Sequence, residues 1–445
     1  MHPLPPAPGQ RQYFLDWIRI YAFFVLILYH TGMYYVTWGW HVKSPYASDT
    51  LEPYMMLSGP WRLALLFLVS GVAAAYLLNK LGVVAFVRQR SLRLLPPLLF
   101  GMLVVVPPQS YFEVVEKLSY QGSYAEFMRL YVGAYHGFCK DGECLKLPTW
   151  NHLWFVAYLW TYTLLLAALA RLTPPALRQR AGAALARLLS GWRIIALPAA
   201  VLAAARFALA DGYPASHALV DDWYNHAVYF PLFLLGAALA TRRGFWAGLE
   251  RARWPALGLA LGGWSALMIY YAIPEPLAAS AQVQAWRPVL RAVYALMQWS
   301  AIAAVCGFGH RHLQFDSPAR RYLTQAVFPV YIVHQTLIVA MAHALKPVRL
   351  PPVLEGVILV LLTLAISFAV VELVRRVALL RPLFGLALRA DAVAAAGKPA
   401  DDAASGARQA ARGDTAGGAH ARAGAKPAAA PGGRSSGARA ARAGA

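Results

Sequence analysis

Charged side chains are scarce in this chain. Only 14% of its 445 residues are charged and 59% are hydrophobic, whereas a typical soluble domain has about 25% charged residues. Acidic residues are the scarcer kind, with 20 against 41 lysines and arginines. Several runs approach the roughly 20 apolar residues that a helix needs to cross a bilayer. The composition therefore excludes an ordinary soluble domain and predicts an all-α, polytopic helical bundle in a membrane.

Motifs for nucleotide-driven work are also missing. The sequence has no P-loop, no glycine-rich dinucleotide fingerprint and no internal repeat, so ATP-driven activity has no support. The formal charge of +21 does not require a nucleic acid, because most of it lies in alternate loops and in a basic tail. We therefore expect the lipid bilayer, and no nucleic acid, as a partner.

Cysteine is nearly absent, with three residues in the whole chain. Cys139 and Cys144 flank the turn-like sequence KDGE, and an oxidising compartment would allow a disulfide between them. His136 and His152 lie nearby, but the spacing matches no strong zinc pattern, so we expect no metal. Cys306 lies in an apolar stretch, which is typical of a small core residue.

Ten apolar segments predict about ten transmembrane helices, at 15–36, 59–79, 94–110, 152–170, 193–210, 226–241, 255–273, 289–309, 322–343 and 353–375. Lysine and arginine cluster in alternate loops, at 80–93, 171–193, 242–253, 311–321 and 375–389, while the intervening loops hold most of the acidic residues. By the positive-inside rule, the basic loops are cytoplasmic. This pattern places both termini inside and predicts a multi-pass membrane protein.

The same pattern divides the chain into three regions. A cytoplasmic N-terminal segment, 1–12, precedes the ten-helix membrane domain at 13–380. The remainder, 381–445, is rich in Ala, Gly and Arg, and from about Asp391 onward it has almost no large apolar residue. Because such a segment cannot bury a core, we expect a disordered cytoplasmic tail.

Two ionisable residues interrupt the first apolar segment. Arg19 and His30 are eleven positions apart, which is three helical turns within about 20°, so their side chains share one face about 16 Å apart along the axis. A titratable residue inside a membrane span is costly and therefore indicates a functional site. The spacing suits a long anionic ligand that reaches into the membrane.

A cationic cluster precedes the third predicted span, in FVRQRSLRLLPPLLF. Arg90 and Arg93 face the same way if this segment is helical, and Arg88 lies just outside them. An ordinary positive-inside flank would explain these three residues, but Arg19 is expected at the same end of the bundle. Arginine forks recognise phosphate oxygens bidentately, so converging arginines indicate a polyanionic cytosolic ligand.

These residues resemble the integral-membrane acyltransferase family 3. The resemblance rests on the arginine and histidine of the first span (Arg19, His30), FLVSG in the second (67–71) and R-x-x-R before the third (Arg90, Arg93). It extends over most of the predicted membrane domain, and ten spans with both termini inside match the family. Within it, LDWIRIYAFFVLILYHTGMYYVTWGWHVKS and NHLWFVAYL are similar to the branch that succinylates periplasmic glucans.

The resemblance implies an O-acyltransferase that moves an acyl group from cytosolic acyl-coenzyme A to a hydroxyl of a periplasmic glucan or another envelope glycan. Succinyl-coenzyme A is the favoured donor and acetyl-coenzyme A the second, and glucan-synthesis machinery is an expected partner. Arg90 and Arg93, with Arg88 and Arg19, would hold the phosphates of coenzyme A. His30 would take the proton of the attacking hydroxyl, although a transient acyl-histidine remains open.

Two further residues inside predicted spans leave alternatives open. His334 in PVYIVHQT has a depth similar to that of His30. It would orient the acceptor or stabilise the oxyanion, or else be a buried histidine bonded to a neighbouring helix. Glu372 is expected to form an ion pair with Arg19 or Arg375, because burying it unpaired would be costly.

The outer loops contain candidates for acceptor binding. Aromatic and histidine residues cluster near the outer helix ends: Trp38, Trp40, His41, Trp150, His152, Trp154, Trp223 and Tyr224. An interfacial belt explains most of them, but a subset can stack on sugar rings. A succinyl carboxylate would need an additional cation, for which Lys43, His41 and Arg62 are candidates.

Two other classes of function compete with the enzyme. Intramembrane Arg and His also occur in transporters and flippases that move a glycan or an acylated precursor without chemistry. The sequence shows no paired half-helix signals and no repeat, which argues against that class. A non-catalytic scaffold for envelope synthesis is the third class, and it predicts no special role for His30.

Overall fold

The structure, a computed structural model, describes residues 12–388. Its α-helices are α1 (Tyr13–Tyr35), α2 (Glu52–Leu81), α3 (Val83–Phe100), α4 (Pro107–Leu118), α5 (Tyr124–Val132), α6 (Trp154–Leu172), α7 (Pro175–Leu188), α8 (Arg193–Leu209), α9 (Trp223–Leu239), α10 (Arg243–Tyr271), α11 (Ala281–Gln284), α12 (Arg287–His312), α13 (Pro318–Leu345), α14 (Pro352–Arg376) and α15 (Leu380–Leu383). The predictions for the cytoplasmic N-terminal segment and for the tail from 389 onward fall outside the described residues.

The predicted all-α, polytopic architecture is confirmed, and each of the ten predicted spans overlaps a helix. Within residues 12–388, seven helical stretches are long and apolar enough to cross a membrane. The number is eight if α7 and α8, which meet at a bend of 106°, form one broken span. The structure thus has fewer full-length apolar spans than the sequence predicts. α9 has only 17 residues, and Gly, Trp and Tyr residues reduce the hydropathy of α10.

α3 begins earlier than the sequence predicts. The segment 80–93 is expected as a loop, yet only Gly82 separates α2 from α3. Its φ of 76° lies in the region that favours glycine. The helical chain then continues through a π-helical turn, Gly101–Val105, into α4. The arginine cluster therefore lies on a helix, where a three-residue spacing does place side chains on one face.

The two ends of the bundle differ in charge. At the end that holds the basic loops, which we call the basic end, the Gln12 side chain donates hydrogen bonds to the Tyr76 hydroxyl (3.0 Å) and the Ala240 main-chain oxygen (3.1 Å). At the opposite, acidic end, the Tyr35 hydroxyl donates to Glu355 of α14 (3.0 Å). α1 thus connects the two ends, and it packs against α2, α12, α13 and α14.

α2 and α9 pack in backbone contact. A Cβ atom added at Gly71 would overlap the main-chain oxygen of Phe233, and one added at Gly236 would overlap that of Leu68. Small residues allow this close approach of two helices in a membrane. The glycine of the FLVSG segment therefore has a packing role.

Ion pairs connect helices at the basic end. Arg320 of α13 is only 2% exposed, and its guanidinium lies 2.5 Å from Asp16 of α1 and 2.7 Å from Asp316. A buried arginine between two carboxylates is compensated for its lost hydration. Glu372 lies 2.8 Å from Arg375, which is one of its two predicted partners.

The acidic end carries a small hairpin between α5 and α6. β1 (Cys139–Lys140) and β2 (Glu143–Cys144) pair antiparallel, and a disulfide joins Cys139 to Cys144. The sequence analysis left open whether these two cysteines form a disulfide. Cys306 is a buried free cysteine in α12, as expected for a core residue.

Candidate active site

A cavity of about 520 Å³ lies near the acidic end of the bundle, and we call it the outer cavity. Side chains of α1, α2, α6, α9 and α13 form its walls, and the loops around 39–41, 149–152 and 216–217 form its rim. His30 lines this cavity. Other lining residues with side chains that can bind or stack on a ligand include Arg62, His41, His152, Trp154, His217 and Tyr229.

His30 and His334 are in direct contact between α1 and α13. His30 Nδ1 lies 2.8 Å from His334 Nε2, and His334 Nδ1 lies 2.7 Å from the main-chain oxygen of Tyr331. A carbonyl oxygen only accepts, so His334 Nδ1 carries the proton, and Nε2 of the neutral ring is the acceptor. His30 must therefore donate from Nδ1. The neutral His30 ring then has an unprotonated Nε2.

An unprotonated imidazole nitrogen can take a proton from a hydroxyl group. His334, fully buried with an exposed fraction of 0%, fixes the tautomer of His30 much as the third residue of a Ser-His-Asp triad fixes its histidine. The sequence left two interpretations of His334, a catalytic residue or a buried histidine bonded to a neighbouring helix. The structure shows the bond to the neighbouring helix directly. The catalytic roles of His30, Arg19 and His334 stay predictions.

His152, at the start of α6, packs against this histidine pair. Its ring is perpendicular to that of His334, with centroids 5.2 Å apart. Its Nε2 donates to the main-chain oxygen of Ile332 (3.0 Å), and the Gln109 side-chain amide donates to Nδ1 (3.3 Å). Among the described residues, no group of three or more His, Cys, Asp or Glu side chains is placed to hold a metal ion.

Two buried glutamines extend the polar network, and the sequence analysis missed them. The Gln335 amide nitrogen lies 3.0 Å from Gln109 Oε1 and 2.9 Å from His41 Nε2. The other nitrogen of His41 lies 2.5 Å from Glu113. Both glutamines lie inside predicted spans, and amides there commonly form bonds between helices, which is the signal that could have found them.

A second cavity of about 230 Å³, the inner cavity, is lined by Arg19, Arg90 and Arg93. The structure therefore brings three of the four predicted arginines together. Arg88 is exposed and lies apart from the lining residues. Arg90 Nε donates to the Thr163 hydroxyl (3.4 Å), while its Nη2 is buried without a hydrogen-bond partner among residues 12–388. The phosphate-binding role of these arginines stays a prediction.

Phe155 of α6 lines both cavities. Its ring is buried, with 6% exposure, and packs on Phe67 with centroids 4.6 Å apart. Arg19 lines the inner cavity and His30 lines the outer cavity. The two cavities thus adjoin at Phe155, the lining residue that they share.

Arg62 of α2 places a cation at the wall of the outer cavity. It is 2% exposed, and its guanidinium carbon lies 3.9 Å from the ring centroid of Tyr29, the residue before His30. Its Nη1 lies 3.4 Å from the Ser58 hydroxyl, and its Nε has no hydrogen-bond partner in the described part of the chain. Arg62 therefore contacts Tyr29 and makes one long hydrogen bond, to the Ser58 hydroxyl.

Lys43 binds main-chain oxygens and does not line the outer cavity, in contrast to Arg62. Its ammonium group donates to the main-chain oxygens of Met33 (2.7 Å) and Val36 (2.5 Å) at the C-terminal end of α1. Burial, and to a smaller extent the charge of Lys117, lowers the pKa of Lys43 to about 8. A cation at this position stabilises the helix end.

Flat rings stack at the rim of the outer cavity. His217 lies parallel to Trp154, with centroids 4.4 Å apart, and Trp154 stacks on Tyr229 at 5.7 Å. Burial lowers the pKa of His217 below its usual value, so this ring is neutral near pH 7. Of the predicted outer cluster, Trp40, His41, Trp150, His152 and Trp154 line the cavity, whereas Trp38, Trp223 and Tyr224 do not.

Comparison with known proteins gives a family and a set of relatives. A family described as an acyltransferase domain, acyltransferase family 3, matches residues 12–372. Glucans biosynthesis protein C of Salmonella gallinarum is 25% identical over 386 residues, which cover 85% of this chain and 95% of that protein. The proteins of that name from Salmonella typhi and Salmonella typhimurium are each 25% identical over 387 residues, with the same coverage.

No solved structure matches the chain. The family match nevertheless spans α1 to most of α14, and so includes the helices that line both cavities. It begins before Arg19 and ends beyond His334. The motifs that carry the resemblance in the sequence all lie inside it, and the chain therefore belongs to acyltransferase family 3.

Proposed function

We propose that this protein is an O-acyltransferase of a bacterial inner membrane, which moves an acyl group from cytosolic acyl-coenzyme A to a hydroxyl of a periplasmic glucan. The observation that carries the proposal is the 2.8 Å contact between His30 Nδ1 and His334 Nε2, which directs the proton of a neutral His30 ring to Nδ1, in a cavity that adjoins an arginine-lined one. The relatives' name, glucans biosynthesis protein C, supports a glucan as the acceptor.

The donor would enter from the basic end, with both chain termini in the cytoplasm. Arg19, Arg90 and Arg93 offer several N–H donors in one small cavity, and arginine binds phosphate oxygens with two parallel hydrogen bonds. The buried Nη2 of Arg90 lacks a partner among residues 12–388, and a phosphate oxygen would supply one. Arg88, exposed on the same helix, attracts the polyanion without touching it.

The acyl chain would then pass Phe155. Arg19 and His30 are about 16 Å apart along α1, and Phe155 lines both of the cavities to which they belong. Rotation of this ring would join the inner and outer cavities into one passage. The thioester would reach His30, while the phosphates stay with the arginines.

The chemical step is the attack of a sugar hydroxyl on the thioester. His30 Nε2 takes the hydroxyl proton as the new carbon–oxygen bond forms. The carbon–sulfur bond then breaks, and the thiolate of coenzyme A leaves and takes up the proton. The products are a glycan ester and free coenzyme A. His334 accepts the Nδ1 hydrogen bond of His30 throughout and thereby stabilises the transient imidazolium.

The acceptor would enter from the acidic end. Trp154, His217 and Tyr229 present flat ring faces at the rim of the outer cavity, and such faces pack against the apolar faces of sugar rings. Succinyl is the favoured acyl group and acetyl the second. Glucan-synthesis machinery is the partner that we expect to supply the acceptor.

Purified protein supplied with acyl-coenzyme A and a glucan tests this proposal. The parent protein should release coenzyme A and add acyl mass to the glucan, and His30→Ala should lower kcat by about 10²- to 10⁴-fold. The matched control is His343→Ala. His343 lies on the same helix as His334, bonds to Glu116 at 2.8 Å and lies outside the lining of both cavities.

The same assay separates the enzyme from a transporter or a scaffold. A protein that only moves a glycan or acylated precursor would leave coenzyme A esterified in detergent solution, where no membrane separates the reactants. Equal activity of His30→Ala and His343→Ala would contradict the assigned role of His30. A complete lack of transfer by the folded parent protein would contradict the proposed reaction.

A further inference from the structure

Arg62 is a buried cation without an anionic partner in the part of the chain that the structure describes. It lines the outer cavity together with His30, yet no step of the proposed reaction uses Arg62. His41 is already bonded to Glu113 and Lys43 to the end of α1, and these were the other two candidates for binding a carboxylate near this cavity. Arg62 is therefore the cation that remains available to a ligand.

Burying the charged Arg62 guanidinium costs free energy unless an anion binds to it. The guanidinium group is 2% exposed, and removing a charge from water is expensive when no opposite charge replaces the lost hydration. The Tyr29 ring at 3.9 Å covers one face of the group and recovers only part of that cost. The N–H donors at the edge of the group remain, and their geometry matches a carboxylate.

We infer that Arg62 binds a carboxylate at the far end of the transferred acyl group. The protein would then select acyl groups derived from dicarboxylic acids, such as succinyl, over neutral groups such as acetyl or butyryl. The inference rests on the proposed acyl transfer and names the residue that selects its acyl group. Because Tyr29 precedes His30 in the chain, the ring that carries Arg62 is fixed next to the proposed base.

The contact with Tyr29 also explains why this residue is an arginine. A guanidinium group can lie flat on an aromatic ring and still donate from its edge, whereas a lysine ammonium cannot do both. Arg62 would thus be a specificity residue that touches the acyl group, while His30 acts on the hydroxyl. A carboxylate held in this way fixes the direction of the acyl chain in the outer cavity.

Three donors, two variants of Arg62 and one control variant test the inference. Succinyl-coenzyme A is compared with butyryl-coenzyme A, which has the same number of acyl carbons and no carboxylate, and with acetyl-coenzyme A. Arg62→Gln should lower kcat/KM for succinyl-coenzyme A by about 10²-fold, the scale of losing one buried charge pair. Transfer of butyryl and acetyl should change by less than about threefold, since neither carries the charge that Arg62 would bind.

Arg206→Gln is the matched control. Arg206 also lies on an aromatic ring, with its guanidinium carbon 3.7 Å from the centroid of Tyr294, and it lies outside the lining of both cavities. This variant should keep the donor preference of the parent protein. Arg62→Lys keeps the charge without the fork, and should recover part of the lost succinyl transfer.

If Arg62→Gln folds poorly, donor binding can be measured on the parent protein and on Arg62→Lys instead. Succinyl-coenzyme A should raise the unfolding temperature of the parent protein more than butyryl-coenzyme A does, and Arg62→Lys should reduce that difference. Equal loss with all three donors, or an unchanged donor preference, would overturn the role of Arg62 and leave the acyl transfer intact. Absence of transfer from every donor by the parent protein would instead refute the proposed function.

Discussion

His334 provides the sharpest test of the proposed chemistry, because its role is indirect. In the transition state His30 gains a proton, and its Nδ1 hydrogen bond to His334 becomes charge-assisted. Such a bond contributes about 1.5–3 kcal/mol, and 1.36 kcal/mol corresponds to tenfold in rate, so His334→Ala should lower kcat by about 10- to 150-fold. This loss is smaller than the one expected for His30→Ala.

His334→Gln is the informative companion variant. A glutamine oxygen can accept the Nδ1 hydrogen bond of His30, so this variant should recover kcat to within about tenfold of the parent protein. The assay is single-turnover transfer at saturating acyl-coenzyme A, with donor binding measured separately. Donor affinity should stay unchanged, since His334 lies outside the lining of the inner cavity. A folded Ala variant with full kcat, or a Gln variant as slow as Ala, would refute the reasoning.

The remaining predictions concern the donor site, the passage and the packing. Changing both Arg90 and Arg93 to Gln should weaken coenzyme A binding and reduce its salt dependence, whereas Arg88→Gln should have a smaller effect; equal affinities would leave these arginines with a topological role only. Phe155→Ala should raise acyl-coenzyme A hydrolysis without acceptor, because it opens the passage to water, and an unchanged hydrolysis rate would contradict a gate. Gly71→Ala should lower the unfolding temperature in detergent, because the added methyl group separates α2 from α9; an unchanged unfolding temperature would show that the helices tolerate it.

The site residues on one helix were predictable from periodicity. Arg19 and His30 share a face of α1 because eleven residues make nearly three turns, and the structure places them at two adjoining cavities. The convergence of Arg90 and Arg93 with Arg19 followed from the charge pattern of the loops. The early start of α3 did not follow from it, because charged residues at a helix end look like a loop when only apolar runs are counted.

Contacts between distant helices were the part that the sequence could not supply. His334 has the expected depth, but its 2.8 Å contact with His30 depends on the rotation of α13 against α1. The partners of Gln109 and Gln335 depend on the same packing. Arg62 was one of three candidate residues, and the structure distinguishes it from Lys43 by its place in the cavity lining and its contact with Tyr29.

The central claim is that an acyl group crosses the bundle from coenzyme A at the basic end to a hydroxyl at the acidic end, with His30 as the base. Proteoliposomes with a single protein orientation test it directly, with acyl-coenzyme A on one side of the membrane and the glucan on the other. Acylated glucan should form only when acyl-coenzyme A faces the basic end and the glucan faces the acidic end, and His30→Ala should form almost none. Product that appears only when both substrates share one side, or equally in both arrangements, would contradict the account.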